Sequence, residues 1–410
     1  MKKLGMITCI IIQEQRKKSE FMKFKRVFLM ILDSLGVGEA KDASNYDDNG
    51  CNTLGHIKDN YDLFIPNLAK IGLLDTLTLE NKDTNDAYYT IAQPNNIGKD
   101  SLSGHYEMIG ITSNIPFKTF NENGFPIELI DEIERVTGRR VIGNKCSHNN
   151  DIINELGERQ LNYGSLIVYT SADSDLQIAA HEDIISAELL YSYCEKVREL
   201  TMREDFLVSR VIARPFTEKN GNFKLNNAGR KDYSIRPPKR TILDDLNDNG
   251  YNVIGIGKVN DIFAEQGINK VLKASNNQEA LTKFTNIMDK NFTGLCMVNL
   301  SDFDNLYGHV RDVEGYGKAI EELDVEIPLL LNKLEMDDLL IITADHGNDP
   351  TFNGNDHTRE NVPVILYCRN FKTPHLLESQ ETFACIGATI ADNFDLDIPE
   401  IGSSLLEFLN

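Results

Sequence analysis

RVFLMIL, residues 26–32, is an apolar run rich in branched side chains that ends at Asp33, with Gly36 and Gly38 just beyond. Such a run without alternation reads as a strand buried on both faces. A carboxylate at its carboxyl end stands where open α/β sheets place their chemistry. The same grammar recurs downstream: YNVIGI (251–256), TGLCMVNL (293–300) running into Ser301-Asp302-Phe303-Asp304, and DLLIIT (338–343) running into Ala344-Asp345-His346-Gly347. Helical spacing fills the intervals, as in Gln278–Asp289 and Lys318–Leu334, and Pro328 is expected to kink or split the second of these. Strands alternating with helices predict an α/β fold whose mostly parallel sheet is flanked by helices.

The middle of the chain reads as a separate unit. Pro126 opens an amphipathic helix that Gly138 ends, and a second helix runs from about Ala187 to Leu200 behind Ser186 as N-cap. Ser165–Tyr169 and Ser209–Ala213 are strand candidates beside them. Polar or Pro-rich joints at Thr112-Ser113-Asn114 and Arg236-Pro237-Pro238-Lys239 set the expected organisation: a core of residues 24–113 and 240–410 and an inserted α/β cap at 114–239. Residues 1–23 are expected to be an N-terminal extension, either a disordered segment or the product of a start codon placed too early. Lys2 and Lys3 ahead of Leu4–Ile12 weakly imitate a secretory signal, but residues 13–18 offer no small-residue cleavage site.

At ~150 residues per domain, 410 residues predict two domains with room for a sizeable core. No stretch approaches the ~18 consecutive apolar residues of a membrane span. With 42 Lys plus Arg against 63 Asp plus Glu, the net charge of −21 opposes a nucleic-acid partner. Seven cysteines, an odd number without a Cys-x-x-Cys pair, suit a reducing cytoplasm better than a disulfide framework. A small anionic substrate stays compatible with this charge, because a metal or a few local cations can reverse the field inside a pocket.

Of the eight histidines, three lie between residues 309 and 357 in acidic company: Asp304 with His309, Asp345 with His346, and Asp356 with His357. Asp304, Asp345 and the three imidazoles, joined by Asp33, supply six oxygen and nitrogen ligands, enough for two divalent cations. Gly98-Lys99-Asp100-Ser101-Leu102-Ser103-Gly104-His105 adds a hydroxyl in a glycine-rich setting, a candidate nucleophile that a metal would activate.

These stretches, in order from about Lys23 to the C-terminus, resemble the phosphopentomutase family of the alkaline phosphatase superfamily. The likeness rests on MILDSLGVGEA (30–40), GKDS (98–101), YTSADS (169–174), VIARPF (211–216), DFD (302–304) with Gly308-His309, and TADHGNDP (343–350) with DHTRE (356–360). The resemblance implies two manganese ions, one held by Asp33, Asp345 and His346 and the other by Asp304, His309 and His357. It also implies interconversion of ribose or deoxyribose 1-phosphate and 5-phosphate through a phosphoenzyme, with a sugar bisphosphate as activator. Ser101 takes the place of the family's nucleophilic threonine, and Ser171, Asp173, Arg210 and Lys258 match sugar-phosphate contacts. The expected protein is a cytoplasmic monomer acting on a small pentose phosphate, with neither nucleic acid nor membrane as partner. Departures occur at Asn144–Asn150, at Arg230-Lys231-Asp232-Tyr233 and at Gly104-His105-Tyr106-Glu107, all outside the six ligand positions. Two rival expectations follow: a two-metal phosphomonoester hydrolase using the same nucleophile, and a catalytically silent metal-binding protein.

Overall fold

The computed structural model describes residues 22–82, 85–112, 117–147, 150–171 and 174–410. It divides into two compact units, one of residues 1–113 and 237–410 and one of residues 114–236.

The first unit is built on a seven-stranded sheet, ordered Lys270–Leu272, Asn252–Ile256, Gly294–Leu300, Arg26–Leu32, Asp338–Thr343, Val362–Tyr367, Tyr88–Ala92. The first five strands are mutually parallel, Val362–Tyr367 runs antiparallel to them, and Tyr88–Ala92, antiparallel to Val362–Tyr367, runs in the direction of the first five. Arg26–Leu32 lies at the centre and every one of its residues is buried, as a strand covered on both faces requires. At its amino end Arg26 grips both oxygens of the register partner Asp338, at 2.7 and 2.5 Å, a buried ion pair that pins the central pairing. Leu32 pairs with Leu300 and Ile31 with Thr343, so the three central strands end side by side. The residues that follow them, Asp33, Ser301–Asp304 and Ala344–His346, therefore emerge together.

Pro328 does not split its helix: Val313–Lys333 runs uninterrupted through it. A proline frees the carbonyl four residues back, and here that carbonyl, Asp324 O, accepts from Asn67 Nδ2 at 3.2 Å. The Asp324 carboxylate also accepts from the Leu68 amide at 2.7 Å, so a neighbouring helix takes up what proline releases.

The second unit has a mixed sheet in the order Val141–Cys146, Leu166–Thr170, Asp175–His181, Arg210–Lys219, Asn222–Leu225, with Lys231–Ser234 also paired to Arg210–Lys219. Helices Ile127–Thr137 and Ala187–Leu200 contribute Leu129, Ile133, Leu190 and Val197 to an apolar core against one face of that sheet. Gly138 and Ser186 cap these helices as their residue types dictate, Gly138 at φ 66° and Ser186 Oγ accepting from the Leu189 amide. Among the described residues no helix is long and apolar enough to cross a membrane, and the six described cysteines are free thiols.

Candidate metal centre

Asp33 leaves the central strand into a turn whose next residue, Ser34, has φ 75°. That conformation aims the Ser34 amide at Asp345 Oδ1, 3.1 Å away, tying two adjacent strand ends together. Ligand atoms of Asp33, Asp345 and His346 lie within 4.8 Å of one another, and so do those of Asp304, His346 and His357. His346 stands between the two groups, its ring 4.0 Å from that of His357.

Asp304 and His309 share one turn, Phe303–Gly308, closed by a bond from the His309 amide to Asp304 O at 3.1 Å. Five residues of ordinary α-helix would turn these side chains about 140° apart. The wider π-type turn brings them to one side, with His309 Nε2 3.2 Å from Asp304 Oδ2. His357 Nε2 lies 3.2 Å from His309 Nε2 and 3.4 Å from Asp304 Oδ1. His309 Nδ1 pairs with Asn355 O at 2.7 Å and His346 Nδ1 with Gly347 O at 3.1 Å, which turns both Nε2 atoms inward.

The charge balance invites cations. Burial alone would raise Asp304, but His309 and His357 hold it well below the usual carboxylate range. Burial likewise opposes ionisation of Asp345, yet His346 and His105 draw it down to about 2. In His346 burial favours the neutral ring, and Asp345, Asp33 and Asp304 override it, raising the imidazole to about 10. Asp33 Oδ2 and Asp345 Oδ2 are buried without a well-aligned hydrogen bond among the described residues, although Lys258 Nζ lies 3.5 Å from the first and His105 Nδ1 3.2 Å from the second. Carboxylate oxygens left open beside imidazole nitrogens fit divalent cations such as manganese. The residues present thus suit a pair of divalent cations.

Ser101 opens the helix Ser101–Met108, capped by Asp100, whose carboxylate accepts from the Leu102 and Ser103 amides. Its Oγ lies 3.2 Å from His346 Nε2 and 3.4 Å from Asp33 Oδ1. Ser103 Oγ instead donates to Asp100 Oδ2 at 2.7 Å, so it belongs to the cap. Gly98 does not have a positive φ; its need is space, because a Cβ there would lie 2.0 Å from Ser103 Oγ. Lys258 Nζ is 3.5 Å from Asp33 Oδ2, on the rim of the same group. In the second unit, Ser171 donates to Asp175 through its amide and Oγ, and Arg210 is the register partner of Asp175, with its Nη1 3.9 Å from Asp232 Oδ2. Asp173 lies outside the described residues.

Sequence reasoning missed the groups that seat these side chains. Gly104 touches the Asp345 backbone so closely that a Cβ would lie 1.9 Å from its carbonyl oxygen. His105 is fully buried, its Nδ1 2.8 Å from Ser101 O and 3.2 Å from Asp345 Oδ2. Arg359 donates to the carbonyls of Pro94, Asn96 and Gly98, holding the loop that leads to Ser101. Each stood within a quoted motif, but only tertiary contact reveals its task. A cavity of about 760 Å³, lined in part by Tyr367, Arg369 and His375, contains none of the six candidate ligands.

Solved structures similar to the chain include two that span nearly its whole length. The PH0037 protein from Pyrococcus horikoshii is 14% identical with a TM-score of 0.48, covering 91% of this chain and 98% of that one. A Leishmania mexicana phosphoglycerate mutase, studied at low cobalt concentration, is 14% identical with a TM-score of 0.45, covering 93% and 97%. A 2-O GAG sulfatase, BT1596, matches over 43% of this chain at a TM-score of 0.33 and 14% identity. Residues 25–398 match the family model of the metalloenzyme superfamily, and the chain belongs to that superfamily.

Proposed function

We propose that the protein is a phosphopentomutase, moving a phosphoryl group between the 1- and 5-oxygens of ribose or deoxyribose with Ser101 as the phosphorylated residue. The observation that carries the proposal is the Ser101 hydroxyl at a helix start, within 3.4 Å of both His346 and Asp33. When bound, a pair of divalent ions, with manganese the expected metal, supplies charge neutralisation for the transferring phosphoryl group and makes a neighbouring hydroxyl more acidic. Asp33, Asp345 and His346 would hold one ion and Asp304, His309 and His357 the other.

In the proposed cycle, phosphorylated Ser101 gives its phosphoryl group to the free hydroxyl of a pentose monophosphate. The P–Oγ bond breaks, a P–O bond to the sugar forms, and the sugar proton passes to Oγ. The resulting bisphosphate turns round and returns its other phosphoryl group to Ser101. Lys258, beside Asp33, offers positive charge to the reacting phosphate. Arg210 suits the non-reacting phosphate, and Ser171 and Asp173 the sugar hydroxyls. Serine keeps the hydroxyl and drops the methyl group that restricts the rotamer, so the seating of its helix matters more than for threonine.

Incubation of the manganese-loaded protein with ribose 1-phosphate and a catalytic amount of pentose bisphosphate, followed for both ribose 5-phosphate and inorganic phosphate, tests the proposal. Isomerisation without phosphate release supports it. Phosphate release alone assigns a hydrolase, and neither product assigns a metal-binding protein without turnover.

A further inference from the structure

We infer that Arg311 is the positioning residue for the Asp304–His309–His357 group, holding it through bonds that reach none of Asp33, Asp345 and His346. The inference rests on the reading that these three residues bind a divalent ion. Arg311 follows the π-type turn by two residues beyond His309 and sits at φ 59°, a conformation unusual for a side chain of its size. Its half-buried guanidinium donates to five oxygens, all carbonyl or amide. Nε reaches Gly354 O at 2.6 Å and Nη2 reaches Asp356 O at 2.7 Å. Nη1 reaches Gly308 O at 3.1 Å, Asp349 O at 3.0 Å and Asn348 Oδ1.

Each bond bears on one member of the group. Asn348 turns its Oδ1 to Arg311 and thereby its Nδ2 to Asp304 Oδ1, 2.7 Å away. The carbonyls of Gly354 and Asp356 flank Asn355, whose own carbonyl holds His309 Nδ1 at 2.7 Å. Asp356 precedes His357 directly, so the same grip fixes where the third imidazole starts. Gly308 O anchors the end of the turn that carries Asp304. Asp33, Asp345 and His346 take no hydrogen bond from Arg311 in the described structure; Ser34 and His105 serve that half. A guanidinium is needed because its flat fork addresses several carbonyls at fixed angles, which an ammonium on a flexible stem does not do.

Arg311→Gly removes the fork while leaving the backbone in a conformation that glycine adopts freely. Metal-stripped wild type, Arg311→Gly and Arg311→Lys are titrated with Mn²⁺, read by calorimetry and by the electron paramagnetic resonance of coupled against isolated ions. Wild type is expected to take two equivalents with a coupled spectrum. Arg311→Gly is expected to take the first equivalent with unchanged affinity and the second about 10–100-fold more weakly, giving an isolated-ion spectrum. Arg311→Lys should show the same selective loss in smaller measure, and it carries the test if the glycine variant does not fold. Two wild-type-like equivalents in both variants would overturn the inference, as would parallel loss of both equivalents. Fewer than two equivalents in the wild type would instead overturn the two-ion reading beneath it.

Discussion

Gly104→Ala should disable the centre while leaving the fold standing. The new methyl carbon would sit 1.9 Å from Asp345 O and 2.7 Å from Asp345 C, both backbone atoms. Ordinary contact begins at 3.4 Å, so the gap must open by about 1.5 Å. Asp345 cannot supply that movement, because it follows a strand paired on both sides, to Arg26–Leu32 and to Val362–Tyr367. The helix Ser101–Met108 must retreat, carrying Ser101 out of the 3.2 Å contact with His346 Nε2. Alanine gains about 1 kcal/mol in helix propensity over glycine, but overpacking of this kind costs about 1–3 kcal/mol, so the net effect on stability is small and unfavourable. A displacement on the order of 1 Å at a reacting atom costs about 100-fold in rate. The assay is kcat for pentose phosphate isomerisation beside the melting temperature. A wild-type kcat with an unchanged melting temperature would show that the helix is not seated on Asp345 as described.

Other perturbations separate the remaining parts. His357→Ala should lower turnover by more than the about 10–100-fold that loss of a residue behind a ligand costs, with circular dichroism unchanged; full turnover at trace metal would remove His357 from the ligand set. In metal-stripped protein, His346 is raised from 6.5 to about 10, because the surrounding carboxylates outweigh burial. Its stabilising share is therefore complete below about pH 6.5 and lost as pH rises through about 10, and melting should be lower at pH 10 than at pH 7. His346→Asn should flatten that decline, and an unaltered decline would place its origin elsewhere. Arg210→Ala should raise KM for pentose phosphate and spare slow aryl phosphate hydrolysis; an equal fall in both activities would make Arg210 structural.

The parallel centre of the sheet was legible because strands buried on both faces are written as unbroken apolar runs, and three of the four such runs lead directly into acid or imidazole side chains. Tyr88–Ala92 and Val362–Tyr367 were not picked out. The second carries Pro363, which argues against an interior strand. Pro363 lies one residue beyond the stretch paired with Asp338–Thr343, so its missing N–H interrupts nothing there. Pro328 misled for the complementary reason: the Asn67 amide that satisfies the freed carbonyl is 257 residues away in sequence. The six candidate ligands could be read one by one, since each sits beside a strand end or in an Asp-His pair. Arg311 and His105 could not, because a charged residue in a loop and a histidine in a short helix look ordinary until their partners from distant segments arrive.

Phosphopeptide mapping tests the central claim most directly. Protein loaded with manganese is incubated with a pentose bisphosphate, digested and sequenced by mass spectrometry. The phosphate is expected on Ser101, absent from Ser101→Ala together with mutase turnover, retained on residue 101 in Ser101→Thr, and undisturbed in Ser103→Ala, whose hydroxyl serves the Asp100 cap. Phosphate on Ser103, or turnover surviving in Ser101→Ala, would contradict the account.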